Sequence, residues 1–307
     1  MTTRDVIPAV VVTLGVMDGF HRGHAKVMAE AADVARSAGA RLAAFTFDPP
    51  PWVVLSEKPE EPLLTLLDER VALMRGGGAD EVRVLRFDPR LAAKSPEDFL
   101  IEHVFPFGRL AALVLGYDFA LGHERRGSPE MLSELGRRWG FSVASVPAMM
   151  EEGTPISSSR IRMALREGRV EDAARWLGRP YSIYGTVVRG EGRGKGLGFP
   201  TANLELSPRR VRPALGVYAV RVRGLGREPR PGVANLGRRP TFDGQDERLE
   251  VHILEPVGDL TGTRLDVDVV ARIRPELKFN SPKELSEQIA RDVTQARARL
   301  QTGQPLS

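Results

Sequence analysis

Two histidines, His21 and His24, lie three residues apart in the segment GVMDGFHRGH, which follows an apolar run and opens a stretch of helical spacing. Side chains three residues apart lie on the same helix face, so both imidazoles would point the same way. A glycine-rich turn lets the backbone approach a phosphate, and a helix N-terminus offers free N–H groups and partial positive charge. The two rings could therefore hold nucleotide phosphates and stabilise the charge that develops during transfer.

Two other roles for the histidine pair stay open at this point. Taken alone, a histidine pair is more often an exposed feature of a helix start, although the pattern G-x-x-D-G-x-H-x-G-H, which includes Gly15 and Asp18, is far more specific. Metal ligation is disfavoured, because no neighbouring cluster supplies the remaining ligands.

A second glycine-rich segment, GRGKGLGFPTANL, lies in the other half of the chain. It does not match the Walker loop, but glycines and cations can still cradle phosphate. In an extended segment Thr201 and Asn203 would face the same side, and their hydroxyl and amide oxygens suit Mg²⁺ and phosphate. A flexible basic hairpin is an equal alternative for the segment alone. The candidate ligand-binding residues here are Gly192, Gly194, Lys195, Gly196, Thr201 and Asn203.

Short apolar runs alternate with helical patterns up to about residue 178. This alternation predicts a parallel sheet with helices on its faces, and ligands bind such sheets at the carboxyl ends of the strands, where the histidine segment falls. The predicted strands are 10–14, 41–47, 81–87, 110–116 and 141–147. The predicted helices are 24–38, 66–78, 95–105, 128–140, 157–168 and 170–178.

After residue 180 the pattern changes to short strands separated by Gly/Pro turns, followed by one helix over 281–300. Strands at this spacing predict a small antiparallel β-barrel. The predicted barrel strands are 181–188, 216–224, 232–237, 249–254 and 265–273. We therefore expect two domains, residues 1–178 and 179–307, joined near LGRPYS.

Composition is typical of a soluble globular protein of 307 residues, without cysteine and without an apolar run long enough to span a membrane. The N-terminus does not read as a signal peptide, so we expect a cytoplasmic protein. Residues 1–178 carry 22 Lys and Arg against 25 Asp and Glu, and residues 179–307 carry 22 against 15. The positive charge of the second half is typical of a domain that binds nucleic acid or phosphorylated small molecules. We favour small molecules, because no aromatic residues lie between the cations to stack on bases.

The whole chain resembles the bacterial bifunctional riboflavin kinase/FMN adenylyltransferase family, also called FAD synthetases. Ten ordered segments carry the resemblance, among them GVMDGFHRGH, LGYDFALG, ISSSRIR, GRGKGLGFPTANL, LEVHIL and RIRPELKFNSPKELSEQIARD. The resemblance implies a Rossmann-like nucleotidyltransferase domain followed by a riboflavin kinase barrel. It also implies two reactions, phosphorylation of riboflavin to FMN and transfer of AMP to FMN to give FAD and pyrophosphate, with ATP as co-substrate and Mg²⁺ for both.

The same resemblance implies roles for single residues. Glu250 of LEVHIL matches the family's carboxylate base, while Thr201 and Asn203 would hold Mg²⁺ and phosphates. In the first domain His21 and His24 would bind the ATP phosphates. The other matched ligand-binding residues of that domain are Gly15, Asp18, Asp118, Ser158, Ser159 and Arg160; hydroxyls, N–H groups and a guanidinium at a helix start suit a departing pyrophosphate.

Three departures from the family's usual pattern lie in the first domain. Met17 stands where the family usually has Phe, Pro50 where it usually has His, and Ala120 where it commonly has Arg. They leave open a monofunctional riboflavin kinase with a decayed adenylyltransferase domain. A flavin- or nucleic-acid-binding regulator without turnover is a further alternative, against which the retained Glu250 and both histidines argue.

The double variant Pro50→His and Ala120→Arg tests how far these two departures affect AMP transfer to FMN. AMP transfer depends mainly on positioning and electrostatics, and the histidines and Asp118 that would supply them are retained. We therefore expect the double variant to lower the KM for FMN more than it raises kcat, measured as FAD and pyrophosphate release. FAD that appears only in the double variant would identify the first domain as a decayed module.

Overall fold

The computed structural model describes residues 8–55, 61–123, 126–190, 196, 198–241 and 244–301. The chain divides into two compact units, residues 1–158 and 159–307. None of the helices in the described ranges is long and apolar enough to cross a membrane.

The first unit is built on a five-stranded parallel sheet, as the alternating pattern predicts. Its strands are β1 (Ala9–Leu14), β2 (Arg41–Asp48), β3 (Glu81–Arg86), β4 (Arg109–Gly116) and β5 (Ser142–Val146). They lie in the order β3-β2-β1-β4-β5, so the strand order reverses between β1 and β4. A short hairpin follows the sheet, formed by β6 (Met150–Glu151) and β7 (Thr154–Pro155).

Both faces of the sheet are covered, which explains the continuous apolar runs of its central strands. Val10, Val12 and Leu14 of β1 contribute to one apolar cluster, and Val11 contributes to the cluster on the opposite face. The helices of this unit are α1 (Arg22–Ser37), α2 (Pro51–Leu55), α3 (Leu67–Gly76), α4 (Pro89–Ala92), α5 (Pro96–Phe99) and α6 (Pro129–Trp139).

Two helices of the first unit differ from the sequence-based expectation. α1 begins at Arg22 rather than residue 24, because the His21 side chain caps it. The helix predicted over 95–105 is α-helical only in α5, then continues as a π-helical turn over Leu100–Val104 and a 3₁₀ turn over Phe105–Phe107. Pro106 has no N–H to donate, so a regular α-helical ladder ends there.

The second unit begins with two helices, α7 (Ser158–Arg166, of which Ser158 belongs to the first unit) and α8 (Val170–Leu177). Six strands of the described chain then close into an antiparallel barrel in the order β10-β11-β12-β9-β8-β13. They are β8 (Tyr181–Val188), β9 (Ala202–Glu205), β10 (Gly216–Arg223), β11 (Arg230–Thr241), β12 (Gly244–Ile253) and β13 (Arg264–Arg274). Among the barrel strands, β9 is the one that sequence analysis did not predict; it lies in the segment expected to be extended.

Side chains alternate between the inside and the outside of the barrel. On β12, Leu249, Val251 and Ile253 are buried, whereas Glu250 and His252 are less buried and point to the outer side. The terminal helix α9 (Pro282–Gln301) packs against the outside of the barrel through an apolar cluster that includes Val233. The predicted helix over 281–300 and the barrel are thus confirmed.

α7 and α8 hydrogen-bond to the barrel that follows them. The Ala214 N–H donates to the Leu165 carbonyl at 2.9 Å, and the Arg272 N–H donates to Glu171 Oε1 at 3.3 Å. The two helices therefore group with the barrel in the division at residue 158. The functional boundary at 178/179 stays a prediction.

Candidate active sites

The first candidate site lies where β1 and β4 end. Thr13 is opposite Val114 in the parallel ladder, so Gly15 and Gly116 leave the sheet side by side. Connections leave such neighbouring strands toward opposite faces of the sheet, and ligands bind in the crevice between them. The segment that begins at Gly15 lies on one side of this crevice and Asp118 on the other.

The loop between β1 and α1 is held in a strained backbone conformation. Met17 and Phe20 have φ angles of 52° and 39°, in the left-handed region, where a non-glycine residue costs about 1–3 kcal/mol. Both side chains are buried in the cluster that α1 covers, and this packing holds the conformation. Met17, a departure from the family pattern, therefore serves as a buried apolar anchor of the loop.

Asp18 ties this loop to two distant segments. Its carboxylate is only 2% exposed and accepts hydrogen bonds from the N–H groups of Leu64 (3.1 Å) and Thr65 (2.9 Å) and from the Thr65 hydroxyl (3.1 Å). Its backbone carbonyl accepts a hydrogen bond from the Ser158 hydroxyl at 2.8 Å. The carboxylate expected to touch ligand is thus engaged within the protein, where it positions the loop.

The two histidines stand together at the N-terminus of α1. The His24 N–H donates to His21 Nδ1 at 3.3 Å, and the rings stack with centroids 3.7 Å apart and planes inclined by 16°. His21 is 6% exposed, and His24 is half-buried. A Cβ on Gly23 would lie 3.0 Å from two atoms of the His21 ring, so this glycine leaves the space that the ring occupies.

The remaining matched residues of ISSSRIR lie on α7. Ser158 bonds to the Asp18 carbonyl, and Ser159 is exposed at the next position. The Arg160 guanidinium lies 4.0 Å from the ring centre of Trp176 on α8, a cation–π contact that orients it. Arg162, which the motif analysis did not select, is the more buried arginine at 3% exposed.

Asp118 lies in the exposed turn after β4, where the Phe119 N–H donates to the Gly116 carbonyl at 3.1 Å. Partial burial, and then the charge of the Asp118 carboxylate, raise the pKa of the neighbouring Tyr117 above its ordinary value. A neutral phenol and a carboxylate therefore stand together at this strand end. Pro50, another departure, follows β2 at the same edge of the sheet and is buried.

The second candidate site lies on the outer side of the barrel, across β9, β12 and β11. Glu250 is the register partner of Asn203 on β9 and of Asn235 on β11. Directly opposed residues on neighbouring strands project to the same face with Cβ atoms about 4.5–5.5 Å apart. A carboxylate is thus flanked by two amides from segments far apart in sequence. Sequence analysis selected Glu250 and Asn203 but missed Asn235, because register is not visible in strand periodicity.

Asn203 is the most buried polar group of this site, at 5% exposed. Within the described part of the chain its Oδ1 atom accepts no hydrogen bond, and a Cβ on Gly190 would lie 2.2 Å from its Nδ2 atom, so the amide packs directly over that glycine. A buried amide oxygen without a donor is costly unless a ligand uses it. Thr201 directly precedes β9 and is partly buried, and Gly196 is exposed. Gly192, Gly194 and Lys195 lie outside the described residues.

His252 holds the chain that leads into Thr201. Its Nδ1 lies 2.8 Å from the Pro200 carbonyl, so this nitrogen carries the proton and donates, and its ring meets Phe199 edge-on at 5.5 Å. His252 lies two residues after Glu250 in LEVHIL, so the strand alternation alone places both side chains on the same face. This spacing could have indicated that His252 belongs to the site.

The fold and the two sites define a class of protein. The first unit combines a parallel sheet, a switch point and paired imidazoles at a helix N-terminus, as expected of a nucleotide-binding domain. The second places a carboxylate beside an orphaned amide on a small barrel. Both arrangements are of a kind that binds phosphate groups.

Comparison with known proteins gives the family. The FAD synthetase family model matches residues 4–160, and the riboflavin kinase family model matches residues 177–300. The Escherichia coli (strain K12) bifunctional riboflavin kinase/FMN adenylyltransferase is 39% identical over 287 residues, covering 94% of this chain and 91% of the relative. The enzyme of the same name from Bacillus subtilis (strain 168) is 36% identical over 291 residues, covering 93% and 91%. The chain belongs to the bifunctional riboflavin kinase/FMN adenylyltransferase family.

A solved structure shares the fold of both units. The crystal structure of a Streptococcus pneumoniae protein described as a macrolide-efflux protein matches with a TM-score of 0.86 and 32% identity, covering 96% of this chain and 95% of that one. The fold described above therefore also occurs in an experimental structure.

Gly23→Ala tests whether the histidine geometry matters. The added methyl would push the His21 ring away from its position at the start of α1. A misplacement of about 1 Å of a positioning group costs about 100-fold, and the ring has to move by a few tenths of an ångström, so we expect kcat for AMP transfer to FMN to fall by up to about tenfold. The measurement is the rate of FAD formation from FMN and ATP.

Gly76→Ala is the matched control, because a Cβ on Gly76 of α3 meets nothing within 4 Å. It should leave FAD formation unchanged. A Gly23→Ala enzyme as active as the Gly76→Ala enzyme would show that the position of the His21 ring is unimportant.

Proposed function

We propose that the chain makes FAD from riboflavin in two ATP-dependent steps, each at its own site. The barrel phosphorylates riboflavin to FMN, and the first unit transfers AMP from a second ATP to FMN. Membership of the bifunctional family supports both steps, and the arrangement of Glu250 beside Asn203 is the observation on which the kinase assignment rests most.

In the kinase step, the terminal hydroxyl of the flavin side chain attacks the γ-phosphorus of ATP. An O–P bond forms, the bond from the γ-phosphorus to the bridging oxygen breaks, and ADP leaves. Glu250 would accept the proton of the attacking hydroxyl. It stands on a barrel strand with fixed register, so the carboxylate is held in place before substrate binds.

Mg²⁺ fits the residues beside Glu250. The orphaned Asn203 Oδ1 and the Thr201 hydroxyl are oxygen ligands of the kind that Mg²⁺ takes in combination with substrate phosphates. When bound, the ion would neutralise phosphate charge. Thr201 and Asn203 would hold it, and His252 would keep the preceding backbone in position through the Pro200 carbonyl.

In the adenylyltransferase step, a phosphate oxygen of FMN attacks the α-phosphorus of ATP, and pyrophosphate leaves with the electrons of the broken O–P bond. The paired rings of His21 and His24 and the free N–H groups of α1 would bind the phosphates and stabilise their charge. Ser158, Ser159 and Arg160 would assist the leaving pyrophosphate, and Asp118 would face the flavin side. Gly15 would let the backbone approach the nucleotide, and Asp18 would position the loop.

The proposed partners are riboflavin, FMN and ATP, and the proposal needs no nucleic acid. We place the enzyme in the cytoplasm, where ATP is available. The monofunctional kinase is the competing proposal; family membership over both units favours the bifunctional one.

Paired variants test the assignment of one step to each unit. Glu250→Gln removes the base, so riboflavin phosphorylation should fall by about two to four orders of magnitude. FAD formation from supplied FMN should persist, because His21 and His24 lie in the first unit. His21→Ala should give the reverse pattern, and chromatography of the flavin products distinguishes the two.

Each variant controls for the other. Near-normal kinase turnover in Glu250→Gln would exclude Glu250 as the base. Equal loss of both activities in either variant would indicate a folding defect in place of a catalytic role. Wild-type protein that makes FMN but no FAD at saturating FMN would establish the monofunctional alternative.

A further inference from the structure

We propose that Asn235 determines acceptor specificity in the kinase site by binding the secondary hydroxyls of the flavin side chain. This inference rests on the proposed kinase function. Three observations support it. Strand register pairs Asn235 with Glu250, the Asn235 amide lies over Gly237, and the Glu276 carboxylate lies over the same glycine.

Register places Asn235 on the opposite side of Glu250 from Asn203. The three residues are cross-strand partners on β11, β12 and β9. A nucleophilic hydroxyl at Glu250 must have the phosphate donor on one side and the rest of the acceptor on another. Since the orphaned oxygen of Asn203 suits the metal–phosphate side, the Asn235 side is left for the acceptor.

Asn235 meets a second polar side chain over Gly237. A Cβ on Gly237 would lie 3.1 Å from Asn235 Nδ2 and 2.6 Å from Glu276 Oε1, so the amide and the carboxylate both approach the same point above the glycine. Glu276 comes from the segment after β13, and it is exposed. Within the described part of the chain neither side chain has a hydrogen-bond partner.

The charge of this side favours a neutral, hydroxylated ligand. The Glu276 carboxylate on this side would repel a triphosphate, whereas it can accept hydrogen bonds from alcohol hydroxyls. The Asn235 amide can both donate and accept, as a secondary hydroxyl does. The terminal helix α9 packs on the outer barrel surface through an apolar cluster that includes Val233 and does not include Asn235.

The test compares riboflavin with an analogue whose side chain is an unbranched alkyl with a terminal hydroxyl only. Asn235→Ala should raise the KM for riboflavin about tenfold, the effect of losing about one hydrogen bond, and leave the KM for ATP within about twofold. For the analogue the variant and the wild type should be alike. Preference for riboflavin over the analogue, as a ratio of kcat/KM, should fall about tenfold.

Two further variants keep the result interpretable. Asn235→Asp preserves volume and acceptor capacity but cannot donate, and it should also lose preference for riboflavin. Arg230→Gln changes an exposed residue at the start of β11. Arg230 pairs with Glu255, and its variant should leave every kinase constant unchanged.

An unchanged riboflavin-to-analogue ratio in both Asn235 variants would overturn the proposal, as would a rise in the KM for ATP in place of riboflavin. Failure of the wild type to phosphorylate riboflavin would overturn the proposed kinase function itself. The two failures are therefore distinguishable in one set of assays.

Discussion

Backbone hydrogen-bond register between neighbouring strands is the constraint on which both candidate sites depend. In the first unit the pairing of β1 with β4 brings the loop after Leu14 beside the turn that contains Asp118. In the barrel the pairing of β12 with β9 and β11 sets Glu250 between two asparagines. A slip of one residue would turn each of these side chains to the opposite face. The chemistry therefore depends on ladders that buried apolar residues hold in place.

Local hydrogen bonds and ring contacts then orient the side chains that strand pairing has brought together. The buried Asp18 carboxylate holds the strained loop against Leu64 and Thr65, and the His21 side chain caps α1 while its ring stacks on His24. These contacts fix side chains before a ligand arrives, and such preorganisation gives electrostatic stabilisation its effect. On the barrel, His252 donates a hydrogen bond to the Pro200 carbonyl and so holds the backbone that precedes Thr201.

Most of the fold could be predicted from sequence, because apolar periodicity reports burial and Gly, Pro and Ser mark the ends of elements. The parallel sheet, the barrel and the terminal helix follow from such local signals. The partnership of Asn235 with Glu250 could not be predicted, because the register of two strands is decided by packing and turn geometry. The hydrogen bonds that the Asp18 carboxylate accepts within the protein could not be predicted either, because a donor lies 46 residues away in sequence. The role of Glu250 is implied by the resemblance alone, since a single carboxylate on a strand has no distinctive pattern. The spacing of the two histidines among glycines already indicates phosphate binding.

The most direct test of two separate phosphate sites is a crystal structure of the full chain with Mg²⁺ and a non-hydrolysable ATP analogue. We expect two bound nucleotides in each chain. One should have phosphate oxygens within hydrogen-bond distance of the rings of His21 and His24 at the start of α1. The other should have its phosphates beside Asn203, with a metal ion bound to the Asn203 Oδ1 atom. Nucleotide phosphates bound away from these residues, or a single nucleotide in each chain at saturating concentration, would contradict this expectation.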